Sequence, residues 1–307
     1  MRVALGPATP TSIGSLPHLD PAEAADFVLR VHPALPAAPQ LPGRSPSEAM
    51  LAQAATCADL DGDGWLGVRT FLGAVAARTT QIKLQLTGPI TAGLARKAQG
   101  ASLHTAFRSA AAGVREQATA LVALARRKAP AAPLVVFLDE PGLAGWDQPR
   151  FPLTGTQVVD LLSGALGALR PDVLTGVHCC GPTDLHLLVE AAPDVISVPV
   201  DDTLVEAASS IDVHLDRGGL VAWGAIPTDR PIGDGVDGPW RRLVEVWCAL
   251  TRLGCDPLQL RLQSLVTPAC GLATHRPEQA ERALRLTTEL AGRAHSQAVA
   301  ARLSLGA

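Results

Sequence analysis

Short apolar runs alternate with longer amphipathic stretches along almost the whole chain. The short runs are largely apolar and end in Gly, Pro or a polar residue, which is typical of strands buried on both faces of a parallel sheet. Most of the stretches between them, such as 104–128 and 237–254, have a helical composition. The runs that we predict as strands span residues 9–15, 34–41, 81–88, 133–140, 173–180, 194–200, 219–226 and 258–266.

The number of these units indicates the fold class. Eight strand–helix units in 307 residues favour a closed (β/α)8 barrel over an open doubly wound sheet. We find no linker or shift in composition, so we predict an α/β protein with a single TIM barrel domain over residues 1–307. A last helix over 276–303 should pack on its outside. Residues 42–80 are less regular, and there we expect an extra helix and an inserted hairpin around 56–80.

Composition and charge narrow the class of partners. The chain is 47% hydrophobic and 18% charged, with a formal net charge of −3, so it can bury a large core and shows no basic excess for nucleic acid. No apolar run approaches the length of a membrane span, and the first ten residues lack the apolar core of a signal peptide. We therefore expect a soluble, cytoplasmic protein with neither a nucleic acid nor a membrane as partner.

Soft and polar side chains stand at the predicted carboxyl ends of strands, where barrel enzymes place their active sites. His178 and Cys180 are two residues apart and share one face of a strand, while Cys179 points to the other side. Cys270 follows the last predicted strand and can reach the same mouth. One imidazole and two thiolates are a good ligand set for Zn²⁺, with a fourth position left for a carboxylate, water or substrate. The alternative is a buried histidine among core thiols.

For the other cysteines we expect ordinary buried thiols: Cys57, Cys179, Cys248 and Cys255.

An acidic pair, Asp139 and Glu140, ends a very apolar predicted strand. An isolated buried carboxylate is costly, so at least one of the two should meet a cation, an amine or a water-filled cavity. The carboxylate that faces the barrel mouth is the better candidate for substrate contact. The other should pair with a basic residue or cap a helix.

Five segments, TSIGSLP, LTGPIT, LDEPGL, HCC and TPACGL, follow one another in a recognisable order and spacing. In both respects the chain resembles the C-terminal catalytic barrel of cobalamin-independent methionine synthase. That barrel belongs to a superfamily with uroporphyrinogen decarboxylase and the methylcobalamin:coenzyme M methyltransferases. The resemblance covers essentially the whole chain. Its most specific element is His-x-Cys followed 90 residues later (270 − 180) by a further Cys.

The resemblance implies roles for particular residues. His178, Cys180 and Cys270 would hold zinc, which would bind a substrate thiol. A turn at Ile13, Gly14 and Ser15 would bind the carboxylate of an amino-acid thiol. Asp139 would bind its amino group and is our candidate catalytic residue. Gln40 stands in the stretch where the family has a glutamate that helps to bind homocysteine, and we expect it to contact substrate.

The chain departs from the family pattern at the fourth zinc ligand. The family has a carboxylate at the end of the sixth strand, where this chain has Pro199. Asp201 and Asp202 lie close by in the sequence. The fourth ligand is therefore left open between these two carboxylates, water and substrate.

Further departures concern folate and proton transfer. Ala95 and Gly145 replace a tryptophan and a glutamate that contact folate in the family, and residues 226–228 replace the region of a proton-donating histidine. The zinc ligands are thus retained while the folate contacts are lost. Methyltetrahydrofolate is therefore not the expected methyl donor.

These observations lead to a ranked set of functions. We expect a zinc-dependent transferase that activates a homocysteine-like thiol as a zinc thiolate for attack on an alkyl carbon. A corrinoid protein or methylcobalamin would donate the methyl group. The alternative uses the same chemistry for sulfur transfer or S-alkylation in a specialised pathway. Two readings rank below these: a uroporphyrinogen decarboxylase-type lyase, for which only Arg44 remains of the required arginines, and a non-catalytic protein that handles zinc or corrinoid.

Overall fold

The computed structural model describes residues 5–56, 58–171 and 173–304. Its centre is a seven-stranded parallel sheet that curls into a half-barrel. The strands are β1 (Thr9–Pro10), β2 (Ile82–Thr87), β3 (Leu134–Asp139), β4 (Leu174–His178), β5 (Val195–Pro199), β6 (Leu220–Ile226) and β7 (Ser264–Pro268). Their spatial order is β1-β7-β6-β5-β4-β3-β2, so β1 and β2 form the two edges.

The segment 36–40 bridges these two edges without forming a regular strand. It makes two isolated parallel bridges, Ser15 with Gln40 and Ala37 with Lys83. Pro36 and Pro39 have no N–H to donate to a neighbouring strand, which limits the ladder to single bridges. The strand predicted over 34–41 is therefore present only as this pair of bridges.

Helices follow most strands and cover the outer face of the sheet. They are α1 (Pro21–Val31), α2 (Met50–Ala55), α3 (Leu66–Ala74), α4 (Pro89–Ala98), α5 (Leu103–Lys128), α6 (Gly155–Gly167), α7 (Leu185–Glu190), α8 (Thr203–Glu206), α9 (Ala208–Asp216), α10 (Asp237–Arg252), α11 (Pro257–Leu262) and α12 (Pro277–Ser304). Short 3-10 turns span Pro46–Glu48, Asp63–Trp65 and Pro141–Gly145. Among the described helices, none combines the length and apolar character that crossing a membrane requires.

The central strands confirm the sequence prediction, with β2 to β6 lying within one or two residues of their predicted bounds. The predicted hairpin around 56–80 is wrong. A 3-10 turn at Asp63–Trp65 runs directly into α3. Val68, Phe71 and Leu72 recur at helical spacing and are buried, and burial of this face stabilises a helix over a hairpin.

The ends of the sheet also differ from the prediction. The run 258–266 was expected to be one strand, but its first part forms α11 and β7 begins at Ser264. The Asp256 carboxylate accepts a hydrogen bond from Leu258 N at 2.6 Å, and Pro257 occupies the first helical turn. Both features start helices. At the other edge β1 is two residues long, much shorter than the predicted strand.

Alternation along β3 decides which side chains face the interior of the half-barrel. Val135 and Phe137 belong to a small interior cluster, whereas Val136 and Leu138 pack in a larger cluster together with helix residues. The interior cluster consists of Leu35, Val135, Phe137, Val195, Ala222 and Leu265. Asp139, at the carboxyl end of β3, continues the interior face of Val135 and Phe137, and barrel enzymes place their active sites at this end of the strands.

Candidate metal centre and two adjoining cavities

Three side chains from distant parts of the chain meet at the carboxyl ends of β4 and β7. His178 is the last residue of β4, Cys180 follows two residues later, and Cys270 lies two residues beyond β7. One potential ligand atom from each lies within 4.8 Å of the others. The loops that follow two parallel strands thus place an imidazole and two sulfurs close enough to share one ion.

The hydrogen bonds of His178 suit a metal ligand. Its Nδ1 lies 3.0 Å from Oγ of Ser197, its pairing partner on β5. Its Nε2 is buried and has no hydrogen-bond partner among the described residues. Metal-bound histidines commonly use one ring nitrogen for a second partner and the other for the ion. This orphaned nitrogen and the two sulfurs fit Zn²⁺ better than an oxygen-preferring ion.

The two carboxylates considered as a fourth ligand are engaged elsewhere. Oδ1 of Asp201 accepts a hydrogen bond from Thr203 N at 3.0 Å, and Asp202 forms an ion pair with Arg242 at 2.8 Å. Neither belongs to the group of three potential ligands that the described residues form. The donor set therefore consists of one nitrogen and two sulfurs.

The two thiols influence each other directly. A hydrogen bond from Cys180 lowers the pKa of Cys270, and the same bond raises the pKa of Cys180. The neighbouring His178 imidazole lowers the pKa of Cys270 further. A proton shared in this way makes one sulfur of the pair readily ionisable, as metal binding requires.

A small cavity of about 340 Å³ opens on one side of the sulfurs. It is lined by Ile13, Ser15, Gln40, Pro42, Glu48, Ala49, Met50, Asp139, Pro141, His178, Cys180, Cys270, Gly271, Ala273 and Thr274. Seven of the eight residues predicted for the site are in this lining, and Gly14 is the exception. The structure thus brings together side chains that are up to 257 positions apart (270 − 13).

Asp139 is a buried carboxylate in the wall of the small cavity. Its Oδ1 has no hydrogen-bond partner among the described residues. Burial raises the pKa of Asp139 to about 6, while the nearby Lys83 ammonium group and, to a smaller extent, the His178 imidazole act in the opposite direction. An unpartnered acceptor that is ionised at neutral pH can receive an amino group.

The turn at residues 13–15 is fixed by the residues around it. Nζ of the buried Lys83 donates to Ile13 O at 2.7 Å and lies 4.6 Å from the ring centre of Phe137. Gly14 has φ of +142°, and a Cβ there would lie 2.3 Å from Nε2 of Gln85. Gly14 is therefore required for the turn itself, whereas Ile13 and Ser15 reach the cavity.

The other side of the small cavity contains Glu48, which the sequence did not single out. Its buried carboxylate accepts a hydrogen bond from Leu41 N at 2.9 Å and pairs with Arg44 at 2.6 Å. Arg44 also pairs with Asp63 at 2.8 Å. Gln40 donates to Gln53 Oε1 at 2.6 Å. Glu48 is held by internal contacts on the 3-10 turn Pro46–Glu48, and nothing in the sequence indicates that this turn borders the cavity.

Glu140 is not part of the lining of the small cavity. Its carboxylate accepts hydrogen bonds from Ile90 N at 2.9 Å and from Thr91 N at 2.7 Å and Oγ1 at 2.6 Å. These donors form the first turn of α4. Burial raises the pKa of Glu140, and the hydrogen bonds from Thr91 and Ile90 oppose that rise. Glu140 therefore caps a helix, one of the two roles foreseen for the carboxylate that does not face the mouth.

A large cavity of about 880 Å³ borders the same sulfurs on their other side. It lies at the ends of β5, β6 and β7 and is lined by Cys180, Gly181, Pro182, Pro199, Val200, Asp201, Gly224, Ala225, Pro227, Thr228, Asp229, Arg230, Gly238, Pro239, Arg242, Ala269, Cys270, Gly271 and Thr274. Cys180 and Cys270 occur in both linings. The two sulfurs thus lie on the boundary between the two cavities.

The remaining cysteines lie apart from this centre. Cys179 and Cys255 are buried, as predicted, and burial raises the pKa of each thiol to about 11. Cys248 is exposed, so its predicted burial is wrong. Its neighbour Trp247 occupies the inward face of α10 instead. Cys57 lies outside the described residues.

Comparison with known proteins gives structural similarity alone. No protein-family model and no curated protein sequence matches the chain. GH5_18 from Streptomyces cattleya, solved in complex with GlcNAc, is 13% identical with a TM-score of 0.53, over 95% of this chain and 82% of that chain. A methyltransferase from Methanosarcina mazei is 14% identical with a TM-score of 0.47, over 75% of this chain and 65% of that chain.

A candidate vitamin-B12-independent methionine synthase from Listeria monocytogenes is 16% identical with a TM-score of 0.49, over 70% of this chain and 64% of that chain. The chain thus spans less than two thirds of the length of this structure and of the methyltransferase. At such identities similarity concerns the fold. The overlay with the Streptomyces structure agrees with a parallel α/β architecture.

Proposed function

We propose that the protein is a zinc-dependent transferase that activates a homocysteine-like thiol for attack on an alkyl carbon. The observation that carries this proposal is the position of the three potential ligands, His178, Cys180 and Cys270. Their ligand atoms lie within 4.8 Å of one another, and the two sulfurs lie on the boundary between two cavities. A site that is open on two sides can receive a nucleophile from one side and an electrophile from the other.

The chain's own residues would position the thiol in the small cavity. Asp139, with an unpartnered oxygen, would accept the substrate's amino group, and the turn at Ile13 and Ser15 would hold its carboxylate, with Gln40 beside it. Zinc held by the ligand set would supply the Lewis acidity that lowers the pKa of a thiol.

The transfer itself is a displacement at carbon. The thiol proton leaves to solvent, and a sulfur lone pair forms the new S–C bond. The bond from that carbon to its leaving group breaks, and its electron pair departs with the leaving group. Because the reacting atoms are held in fixed cavities, positioning supplies much of the acceleration.

The donor that we propose is not a folate. Ala95 and Gly145 stand where the resembling family has a tryptophan and a glutamate in contact with folate, and neither offers an aromatic face or a carboxylate. A corrinoid protein or methylcobalamin is our first candidate for the methyl donor.

A second candidate is S-alkylation or sulfur transfer with a larger donor in a specialised pathway. The large cavity favours it, because about 880 Å³ exceeds what a methyl group needs. A uroporphyrinogen decarboxylase-type lyase is disfavoured, because Arg44 is already paired with Glu48 and Asp63.

We further propose that the half-barrel is a closed eight-position barrel, with segment 36–40 in the eighth position, and that residues 1–307 form one domain. The two isolated bridges from this segment to both sheet edges support closure. The ligands stand at the carboxyl ends of the strands, where such barrels carry their active sites.

Metal analysis and a thiol panel test the proposed function. Purified protein should contain about one zinc per chain, and homocysteine-like thiols should be alkylated with methylcobalamin but not with methyltetrahydrofolate. Protein that binds no zinc under any condition would refute the ligand assignment. Turnover with methyltetrahydrofolate would refute the interpretation of Ala95 and Gly145.

A further inference from the structure

The large cavity coincides with the positions at which the chain departs from the resembling family. Pro199 stands at the place of the expected carboxylate ligand, and Pro227 and Thr228 occupy the region of the expected histidine. All three line the large cavity. The large cavity therefore lies where the resemblance would place a carboxylate ligand and a proton-donating histidine, and this chain has neither residue type at those positions.

The walls of this space near the sulfurs are small and apolar. Gly224 is required in one wall, since a Cβ there would lie 2.9 Å from Ala269 Cα and 2.9 Å from Val198 O. Among the described lining residues none is aromatic, so no flat ring system has a stacking surface. The apolar lining residues are Pro182, Pro199, Val200, Ala225, Pro227, Pro239 and Ala269. An aliphatic group fits these walls.

The outer part of the cavity carries charges of both signs. Arg242 is paired with Asp202, and Asp201 is hydrogen-bonded to Thr203. Asp229 and Arg230, by contrast, are exposed and form no ion pair with another described residue or with each other. One anion and one cation are therefore available to a ligand.

We propose that the large cavity binds the alkyl donor of the second candidate function, S-alkylation with a larger donor. This donor is an aliphatic molecule that carries a leaving group on the carbon nearest the sulfurs and a zwitterionic, amino-acid-like end. Its carboxylate would lie near Arg230 and its amino group near Asp229, with the aliphatic part directed towards Cys180 and Cys270. The role as donor rests on the proposed function. The binding site itself does not depend on zinc.

Calorimetric titration of the metal-free, full-length chain tests the binding site. The probe is 2-aminooctanoate, with octanoate and octylamine as analogues that each lack one charge. The zwitterion should bind more tightly than either analogue. Shortening it one methylene at a time should weaken binding about fourfold per step, as expected for burial of an aliphatic chain. Equal affinity for all three compounds, or no binding of any, would overturn the proposal.

Variants locate the probe. Val200→Trp, which places an indole ring in the large cavity, should reduce the affinity for 2-aminooctanoate at least tenfold. Ala273→Trp, the matched change in the small cavity, should leave it unchanged. The opposite result would place the probe in the small cavity and overturn the proposal.

Two surface variants that do not endanger folding test the charges. Arg230→Gln should lower the affinity for 2-aminooctanoate about two- to fivefold, which is the range expected for an exposed charge pair. The affinity for octylamine, which has no carboxylate, should be unchanged. Asp229→Asn should lower the affinity for 2-aminooctanoate by a similar factor and leave the affinity for octanoate unchanged. Equal effects on the zwitterion and both analogues would refute the assigned contacts. Zinc content, measured on the same preparations, tests the proposed function separately, since its loss would not alter these titrations.

Discussion

Asp139 and Glu140 are adjacent in the chain and belong to different regions of the molecule. Asp139 lines the small cavity with an unpartnered oxygen, whereas Glu140 is held by three hydrogen bonds from the first turn of α4. Cys179 and Cys180 differ in the same way, since Cys179 is buried in the core and Cys180 borders both cavities. The alternation of an extended chain separates residues of the site from residues of the surrounding shell.

We expect the largest effect of a substitution for the two cysteine ligands, on zinc affinity. Cys180→Ser and Cys270→Ser should each lower zinc affinity more than about 100-fold, because a first ligand is lost where loss of an outer contact already costs 10–100-fold. Cys179→Ala, the matched control one residue away, should retain about one zinc per chain. Metal titration with a competing chelator measures all three, and equal zinc loss in the control would contradict the separation.

Glu140→Ala should produce the largest loss of stability. Its removal leaves the buried donors of Ile90 and Thr91 without an acceptor, and we expect a decrease of about 4 kcal/mol in the free energy of unfolding. Zinc content of the folded fraction should not change. Denaturant unfolding of the metal-free protein measures the effect. A decrease below about 1 kcal/mol would show that the cap contributes little.

Acid should destabilise the shell through His32, which lies at the end of α1 and contacts Leu284 O of α12 at 3.3 Å. Burial lowers the pKa of His32 from 6.5 to about 4. The folded state binds the proton of His32 less tightly than the unfolded state does. The contribution of His32 to the free energy of unfolding is therefore complete above pH 6.5 and is lost as the pH falls through 4. The expected loss is roughly 3 kcal/mol.

Unfolding of the metal-free protein between pH 7 and 4 measures this loss, with His32→Gln as control. Between pH 7 and 4 the variant should lose about 3 kcal/mol less of its free energy of unfolding than the wild type, and the remaining pH dependence comes from other groups. Identical pH profiles for the two proteins would contradict the assignment to His32.

The smallest effect is expected for Asp139→Asn, which keeps the size of the side chain and removes its charge. Affinity for homocysteine should fall about tenfold, because a charge-assisted hydrogen bond to the amino group is weakened. Affinity for 4-mercaptobutyrate, which lacks that amino group, should be unchanged. Calorimetry on zinc-loaded protein distinguishes the two, and a parallel loss for both thiols would assign Asp139 a different role.

The sequence predicted the parts of the fold that periodicity and composition determine. β3 and β6 are apolar at nearly every position and buried on both faces, so their pattern identified them directly. β2 alternates Ile and Leu with polar residues that are also buried. Segment 36–40 was harder, because prolines interrupt a pattern that is otherwise apolar. The run over 258–266 alternates Leu with polar residues, which fits a strand and also one face of a short helix, and the cap at Asp256 decided for the helix.

The candidate site was predicted in part for a similar reason. His178 and Cys180 share a strand face, so their proximity follows from local geometry, and the spacing to Cys270 added the third ligand. Ser197 could have been found as a polar residue in an otherwise apolar strand. Glu48 and Arg230 could not, since their positions depend on turns whose conformation is set by tertiary contacts.

The proposed function requires that His178, Cys180 and Cys270 hold a zinc ion that accepts a substrate thiol. Zinc-edge X-ray absorption of the protein with and without homocysteine tests it most directly. Without the thiol we expect about one nitrogen and two sulfur ligands at roughly 2.0–2.1 and 2.3 Å, and one additional sulfur ligand when the thiol is present. A spectrum with oxygen ligands only, or a sulfur count that does not rise on addition of thiol, would contradict it.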